Sequence, residues 1–183
     1  MARFSLHAVA PDRPGIVAAV TQALADLGCN LEDSRMARLH GNFSIVLVLE
    51  APGVTNGTAV EEVLAPLLEP LALQLFVRPL AEEPAVAGPP GERVLVVAEG
   101  ADHTGTIARL ARAVVTAGGN VVDLVGHVAP EDLEAPSHLQ VTVDLPPGAT
   151  SGLRAALDVL ATELQLRCEV RALGHDGAAL HGG

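Results

Sequence analysis

The sequence has very few aromatic residues and no lysine. Aromatic residues make up 2% of the 183 positions, and neither tryptophan nor tyrosine is present. Proteins that bind single-stranded nucleic acid stack its bases on aromatic side chains, and a phosphate-binding P-loop requires a lysine. The composition therefore excludes a P-loop and argues against nucleic-acid binding.

Basic residues of any kind are scarce. Eleven arginines stand against 22 Asp and Glu, which gives a formal net charge of −11. A surface with this charge repels a phosphate backbone, and the arginines are scattered rather than clustered. We therefore expect no direct contact with nucleic acid.

Cysteines and long apolar runs are also few. Cys29 and Cys168 lie far apart in the chain without a partner at metal-ligand or redox spacing, so they are predicted to be small core residues. The longest apolar runs are shorter than a membrane span, and Met1-Ala2-Arg3 leads into a strand pattern rather than a signal peptide. We expect a cytoplasmic protein without membrane contact.

The strongest positive signal is an internal repeat with an offset of 90 residues. The identical pairs are Asp12 and Asp102, Gly15 and Gly105, Gly28 and Gly118, Asn30 and Asn120, and Asp33 and Asp123. The match needs no gap over this stretch, so the chain is a duplication. With 49% apolar residues, each copy can bury a core of its own.

Both copies have the same predicted order of elements. In the first, strands cover 3–10, 29–39, 43–50 and 73–80. One helix runs from Ile16 to Leu27 and is ended by Gly28, and a second covers 58–71. In the second, strands cover 93–98, 120–128, 138–145 and 165–173, and helices cover 106–117 and 151–164. This βαββαβ order predicts an α+β protein with two ferredoxin-like domains in tandem, each an antiparallel sheet with its helices on one face.

The predicted domains are 1–80 and 93–173. The segment 81–92 between them holds three prolines and two glycines and is predicted to be a linker, and 174–183 is predicted to be a flexible tail. The strands around Val46, Val48, Val141 and Val143 are apolar at nearly every position. We therefore expect both faces of each sheet to be covered, by pairing between copies or between chains.

One constellation suggests a binding site. It reads Asp12-x-x-Gly15-Ile16 with Asn30, and Asp102-x-x-Gly105-Thr106 with Asn120. A helix N-terminus attracts a carboxylate, glycine lets a ligand approach the backbone, and an aspartate can hold an ammonium group. A structural role is equally open, in which the aspartate caps the helix and glycine and asparagine form turns.

Signatures of catalysis are missing from the sequence. There is no Gly-x-Ser-x-Gly elbow and no cysteine–histidine arrangement with recognisable context. His127 and His138 flank one predicted loop and can meet across a hairpin, but solvated loop positions are the favoured interpretation. We expect no catalytic residue, no metal site and no cofactor.

The first copy resembles an ACT domain. The resemblance rests on Ala10-Pro11-Asp12-Arg13-Pro14-Gly15-Ile16-Val17, on Gly28-Cys29-Asn30-Leu31 and on the strand 42–50. The tandem arrangement resembles the glycine cleavage system transcriptional repressor family. This resemblance implies a regulatory protein that binds an amino acid, often at an interface between two ACT domains, and that acts through a protein partner. A homodimer is expected.

By this resemblance each copy contributes a ligand site. The first would contain Asp12, Arg13, Pro14, Gly15, Ile16, Asn30 and Leu31. The second would contain Asp102, His103, Gly105, Thr106 and Asn120. Two other functions stay open: an interaction module whose turns are only structural, and a regulatory subunit of an amino-acid enzyme.

Overall fold

The computed structural model of the protein describes residues 2–54, 56–81, 91–101, 103–127 and 136–173. The chain divides into two compact units, residues 1–86 and 87–183. Most of the predicted linker and all of the predicted tail fall outside the described residues. The domain boundaries at 80 and 93 therefore stay predictions.

The first unit contains six elements in the predicted order. They are β1 (Ala2–Pro11), α1 (Ile16–Asp26), β2 (Asn30–Leu39), β3 (Asn42–Ala51), α2 (Gly57–Leu71) and β4 (Gln74–Leu80). The four strands form one antiparallel sheet in the order β2-β3-β1-β4. β2, the first strand of the β2–β3 hairpin, therefore lies at one edge of the sheet.

The second unit repeats this arrangement. Its elements are β5 (Glu92–Gly100), α3 (Thr106–Thr116), β6 (Asn120–His127), β7 (Ser137–Leu145), α4 (Thr150–Leu164) and β8 (Leu166–Ala172). Its sheet has the order β6-β7-β5-β8 and is again antiparallel. The prediction of two ferredoxin-like α+β domains is confirmed. In the described part of the chain, no helix is long and apolar enough to cross a membrane.

The helices cover one face of each sheet because the strands alternate. In the first unit Phe4 and Leu6 of β1 lie in one core with Val20 and Leu24 of α1, and all four are fully buried. The helix ends at Gly28, as expected, where the N–H groups of Gly28 and Cys29 donate to the carbonyls of Ala25 and Leu24. Apolar residues at helical spacing thus pack α1 against the sheet, and Gly28 ends the helix.

The face of the first sheet opposite its helices is partly exposed. Val9, Val46 and Phe76 are 49%, 40% and 54% exposed, and the ring of His7 stacks on Phe76 with centroids 4.4 Å apart. Val46 is thus exposed in the single chain, and cover of this face by another copy or another chain stays a prediction. The buried Val141 and Val143 of the second sheet face its helices.

Two adjacent valines of α3 test this division between core and surface. Val114 is fully buried and Val115 is 70% exposed. We expect Val114→Ala to lower the free energy of unfolding by about 2 kcal/mol through lost burial and the cavity left behind. Val115→Ala should change it by less than about 0.5 kcal/mol. Urea denaturation of both full-length variants measures the difference, and equal losses would contradict the packing described.

Candidate functional site

The turn between β1 and α1 is open beside its glycine. Gly15 occupies the N-cap position of α1 with φ of 92°, in the left-handed region. A Cβ atom placed on Gly15 would meet nothing within 4 Å. The glycine is thus required by the backbone conformation, and the space next to it is free for another molecule.

The first turn of α1 leaves backbone donors unpaired. At this end the N–H of Ile16 donates to the carbonyl of Arg13 at 3.5 Å, and that of Ala19 to Gly15 at 2.9 Å. No side chain caps the helix. Among the described residues no acceptor meets the N–H groups of Val17 and Ala18, which therefore stay available to an anion.

Asp12 is not the helix cap, so the capping interpretation is wrong. Its backbone N–H donates to the carbonyl of Gly41 at 2.8 Å. Its carboxylate accepts a hydrogen bond from the Arg38 guanidinium at 3.3 Å, and Arg38 is 71% exposed at its side chain. A carboxylate and a guanidinium thus lie side by side at the rim of the turn.

Arg38 is not among the site residues predicted from the sequence. The residue lies on β2, and only the pairing of Pro11 with Asn42 brings the β2–β3 turn beside Asp12. The predicted strands 29–39 and 43–50 placed Arg38 next to the turn between them, and therefore at the end of the sheet where this turn lies. The pairing of β1 with β3 was the information that the sequence did not supply.

The other predicted residues of this turn play different parts. The Arg13 guanidinium donates to the carbonyl of Pro70 at 3.2 Å, in the last turn of α2, so it ties α2 to the start of α1. The Ile16 side chain is buried in the core and can offer a ligand only its backbone. Pro14 is exposed before the helix begins.

Asn30 and Leu31 lie at the opposite end of the same sheet. Asn30 pairs with Glu50, which pairs with Arg3 near the start of β1. From Arg3 to Pro11 the strand advances about 27 Å at roughly 3.4 Å per residue. The first unit therefore does not bring Asn30 and Leu31 together with the turn around Gly15.

The second unit has the same turn with other side chains. Gly105 has φ of 89°, and a Cβ placed on it would also meet nothing within 4 Å. The Thr106 hydroxyl donates to the carbonyl of His103 at 2.9 Å, so this side chain closes the turn locally. Asp102 lies outside the described residues.

Asn120 is placed like Asn30, at the far end of its sheet. It pairs with Asp144, whose carboxylate binds the Arg93 guanidinium at 2.6 Å and 2.8 Å. These hydrogen bonds hold the pKa of Asp144 below its ordinary value. This arginine–carboxylate pair thus links the two central strands, β5 and β7, at the end of the sheet where Asn120 lies.

His127 and His138 do not occupy a solvated loop. They are directly opposite each other in the last described pair of the β6–β7 ladder. The prediction that they sit in the loop itself is wrong, because each strand extends to its histidine.

The fold and the turn define a class of protein. Residues 6–78 match the ACT domain family. The match covers the first unit, and the second unit repeats its strand topology. The whole chain is similar to the glycine cleavage system transcriptional repressor of Escherichia coli K12, with 29% identity over 174 residues, 93% of this chain and 90% of that protein.

Two solved structures share the fold over nearly the whole chain. A protein of unknown function from Galdieria sulphuraria has a TM-score of 0.81 at 22% identity, covering 94% of this chain and 99% of that one. A structure described as a putative glycine cleavage system transcriptional repressor has a TM-score of 0.64 at 18% identity, covering 95% and 98%. These likenesses extend the fold assignment to both units.

Replacing two glycines by alanine tests whether the left-handed backbone of Gly15 requires glycine, because both positions have space for a Cβ atom. Gly15→Ala should lower the free energy of unfolding by about 1–2 kcal/mol, because the left-handed backbone is costly although space is free. Gly152 lies inside α4, where a Cβ also meets nothing within 4 Å. Gly152→Ala should therefore stabilise the protein by about 0.5–1 kcal/mol. Denaturant titration checks the opposite signs, and a stabilising Gly15→Ala would contradict the turn geometry.

Acid should abolish the contribution of the Arg93–Asp144 pair. Because the folded pKa of Asp144 lies below the unfolded value, the pair stabilises the fold above about pH 4 and loses this effect as the pH falls through the lowered pKa. Asp144→Asn should cost less than about 1 kcal/mol at neutral pH, since the pair is exposed. Near about pH 2 the variant should match the parent. Urea denaturation at both pH values tests this, and an unchanged difference would count against the pair.

Proposed function

We propose that the protein is a non-catalytic regulator that binds an amino acid at the β1–α1 turn and passes the signal to a protein partner. One observation carries this proposal: the turn that leaves open space beside Gly15 also contains Asp12, paired with Arg38, and leads into a helical turn in which the amides of Val17 and Ala18 are free. The ACT domain match over residues 6–78 supports the same class of ligand.

The turn offers complementary groups for both charges of an amino acid. A carboxylate would accept hydrogen bonds from the N–H groups of Val17 and Ala18, helped by the helix dipole and by the Arg38 guanidinium. An ammonium group would lie against the Asp12 carboxylate. Val17 is 40% exposed and would contact the ligand's side chain. The ligand would replace water in the first helical turn without displacing a protein cap.

Asn30 and Leu31 would complete this site from a second copy of the chain. Every residue of β2 is exposed, and β2 lies at the edge of its sheet, where another strand can add to the ladder. If two β2 strands pair antiparallel about a two-fold axis, the start of one strand meets the end of the other. Asn30 of one copy would then approach Arg38 and Asp12 of its partner. This arrangement supports a homodimer.

The side chains of the chain favour regulation over catalysis. Burial raises the pKa of the thiols of Cys29 and Cys168, which keeps both in the weakly nucleophilic thiol form. The relative that is a transcriptional repressor gives the proposal its biological setting. With a net charge of −11 the protein would act there through a protein surface in the cytoplasm and not by holding DNA itself.

A thermal-shift screen of the twenty amino acids tests the ligand. An amino acid at about 100 times its Kd should stabilise the protein by roughly 2.7 kcal/mol. Asp12→Ala and Arg38→Ala should abolish this shift while lowering the stability of the free protein by less than about 1 kcal/mol, because their pair is exposed and caps no helix. Asn30→Ala should weaken the response if a second copy completes the site.

Arg171→Ala is the matched control for these variants. It breaks an exposed pair with Glu169 on β8 and should leave the ligand response intact. A flat response of the parent protein to every amino acid would remove the proposal. A response that survives both Asp12→Ala and Arg38→Ala would place the ligand elsewhere.

A further inference from the structure

We propose that His127 and His138 form a two-histidine site for a divalent transition-metal ion on the face of the second sheet opposite α3 and α4. The two residues are directly opposite in the antiparallel β6–β7 ladder. Opposite side chains in such a ladder share a face, with Cβ atoms about 4.5–5.5 Å apart. Two imidazoles at this separation can approach one ion at the usual nitrogen–metal distance of roughly 2.0–2.1 Å.

Glu99 prepares His138 for this role. The Glu99 carboxylate lies 3.1 Å from Nδ1 of His138 and accepts its hydrogen, which leaves Nε2 as the nitrogen without a hydrogen. Histidines that bind metals commonly donate their other N–H to a carboxylate in this way. Glu99 is thus a positioning residue, because it fixes the tautomer and the ring orientation and does not itself reach the ion.

The Gln140 side chain contacts the His138 nitrogen that would bind the ion. Its side-chain amide is 2.8 Å from Nε2 of His138, two residues along the same strand. An amide on a flexible side chain can rotate away, or turn its oxygen to the ion. Its contact shows that a group can reach Nε2 from the open side of the sheet, where His127 also stands.

The first sheet shows that the fold does not require this arrangement. By strand register, the positions of Glu99, His138 and His127 correspond to Val9, Ser44 and Ala37. Gln140 corresponds in the same way to Val46, opposite which His7 stands in place of Val97. The first sheet therefore has no histidine at the three positions that correspond to Glu99, His138 and His127. The histidine pair is particular to the second copy.

The chemistry of the donors sets the class of ion. Imidazole nitrogen suits zinc, copper and nickel rather than magnesium or calcium, which prefer oxygen. No group of three or more His, Cys, Asp or Glu side chains within the described residues is arranged to hold a metal. The site would accordingly supply two protein ligands, and water or Gln140 would fill the remaining positions. Arg167 faces Glu99 from β8, on the side away from the histidines.

Zinc titration of the full-length protein by isothermal calorimetry tests the site. We expect the parent to bind one ion per chain. His127→Ala and His138→Ser should each raise the Kd at least about tenfold, since each removes one of two ligands. Both substitutions install the residues that the first sheet carries at these positions, so the fold should tolerate them. Circular dichroism verifies this.

Further variants separate this site from other histidines. Glu99→Val should raise the Kd by about 10–100-fold without removing a ligand. His40→Ala, at an exposed turn, and a double variant with His175 and His181 replaced by alanine should bind zinc like the parent. Absence of zinc binding by the parent would overturn the proposal, as would an unchanged Kd in His127→Ala or His138→Ser. Loss of binding in the double variant would assign the ion to the C-terminal histidines instead.

Discussion

The antiparallel βαββαβ connection determines where the two halves of the candidate site lie. β1 carries the chain to one end of the sheet, α1 returns it to the other, and β2 starts there. Gly15 and Asn30 are therefore separated by about the length of a strand, although only α1 lies between them in sequence. A ligand as small as an amino acid cannot touch both within one domain. If both positions contact it, two copies of the domain must share it.

In the proposed site this separation would couple ligand binding to association of two copies. The edge strand β2 exposes every residue, including Leu31, Met36 and Leu39, and proteins commonly protect an exposed edge strand of this kind. A ligand that contacts residues from two copies binds the paired state better than the separate one, and it shifts the equilibrium by that difference in affinity. The regulatory signal would then be the state of assembly. No rearrangement inside a domain is needed, since the turn around Gly15 is open without a ligand.

The local features of the fold were predictable, and the register was not. Apolar spacing and the glycines at 15 and 28 located α1 within one residue, because helix period and helix termini are encoded locally. The role of Asp12 was not decidable from its neighbours in sequence. Its carboxylate meets Arg38, 26 residues away, only through the pairing of β1 with β3. The opposition of His127 and His138 depends on register in the same way, since a shift of one residue would turn one of them to the other face.

The duplication provides an internal comparison that separates scaffold from function. Both copies keep a left-handed glycine at the start of the first helix, with φ of 92° and 89°, so this conformation belongs to the shared fold. What differs is the chemistry around it. The first turn has arginine and proline after its aspartate, and the second has His103 and Thr104, with Thr106 bonded back to the turn. The sheet faces differ as well, with the stacked His7 and Phe76 in the first and the Glu99–His138 pair in the second. Two domains that keep one backbone while exchanging these polar groups have diverged in what they contact, which argues that they do not duplicate one binding function.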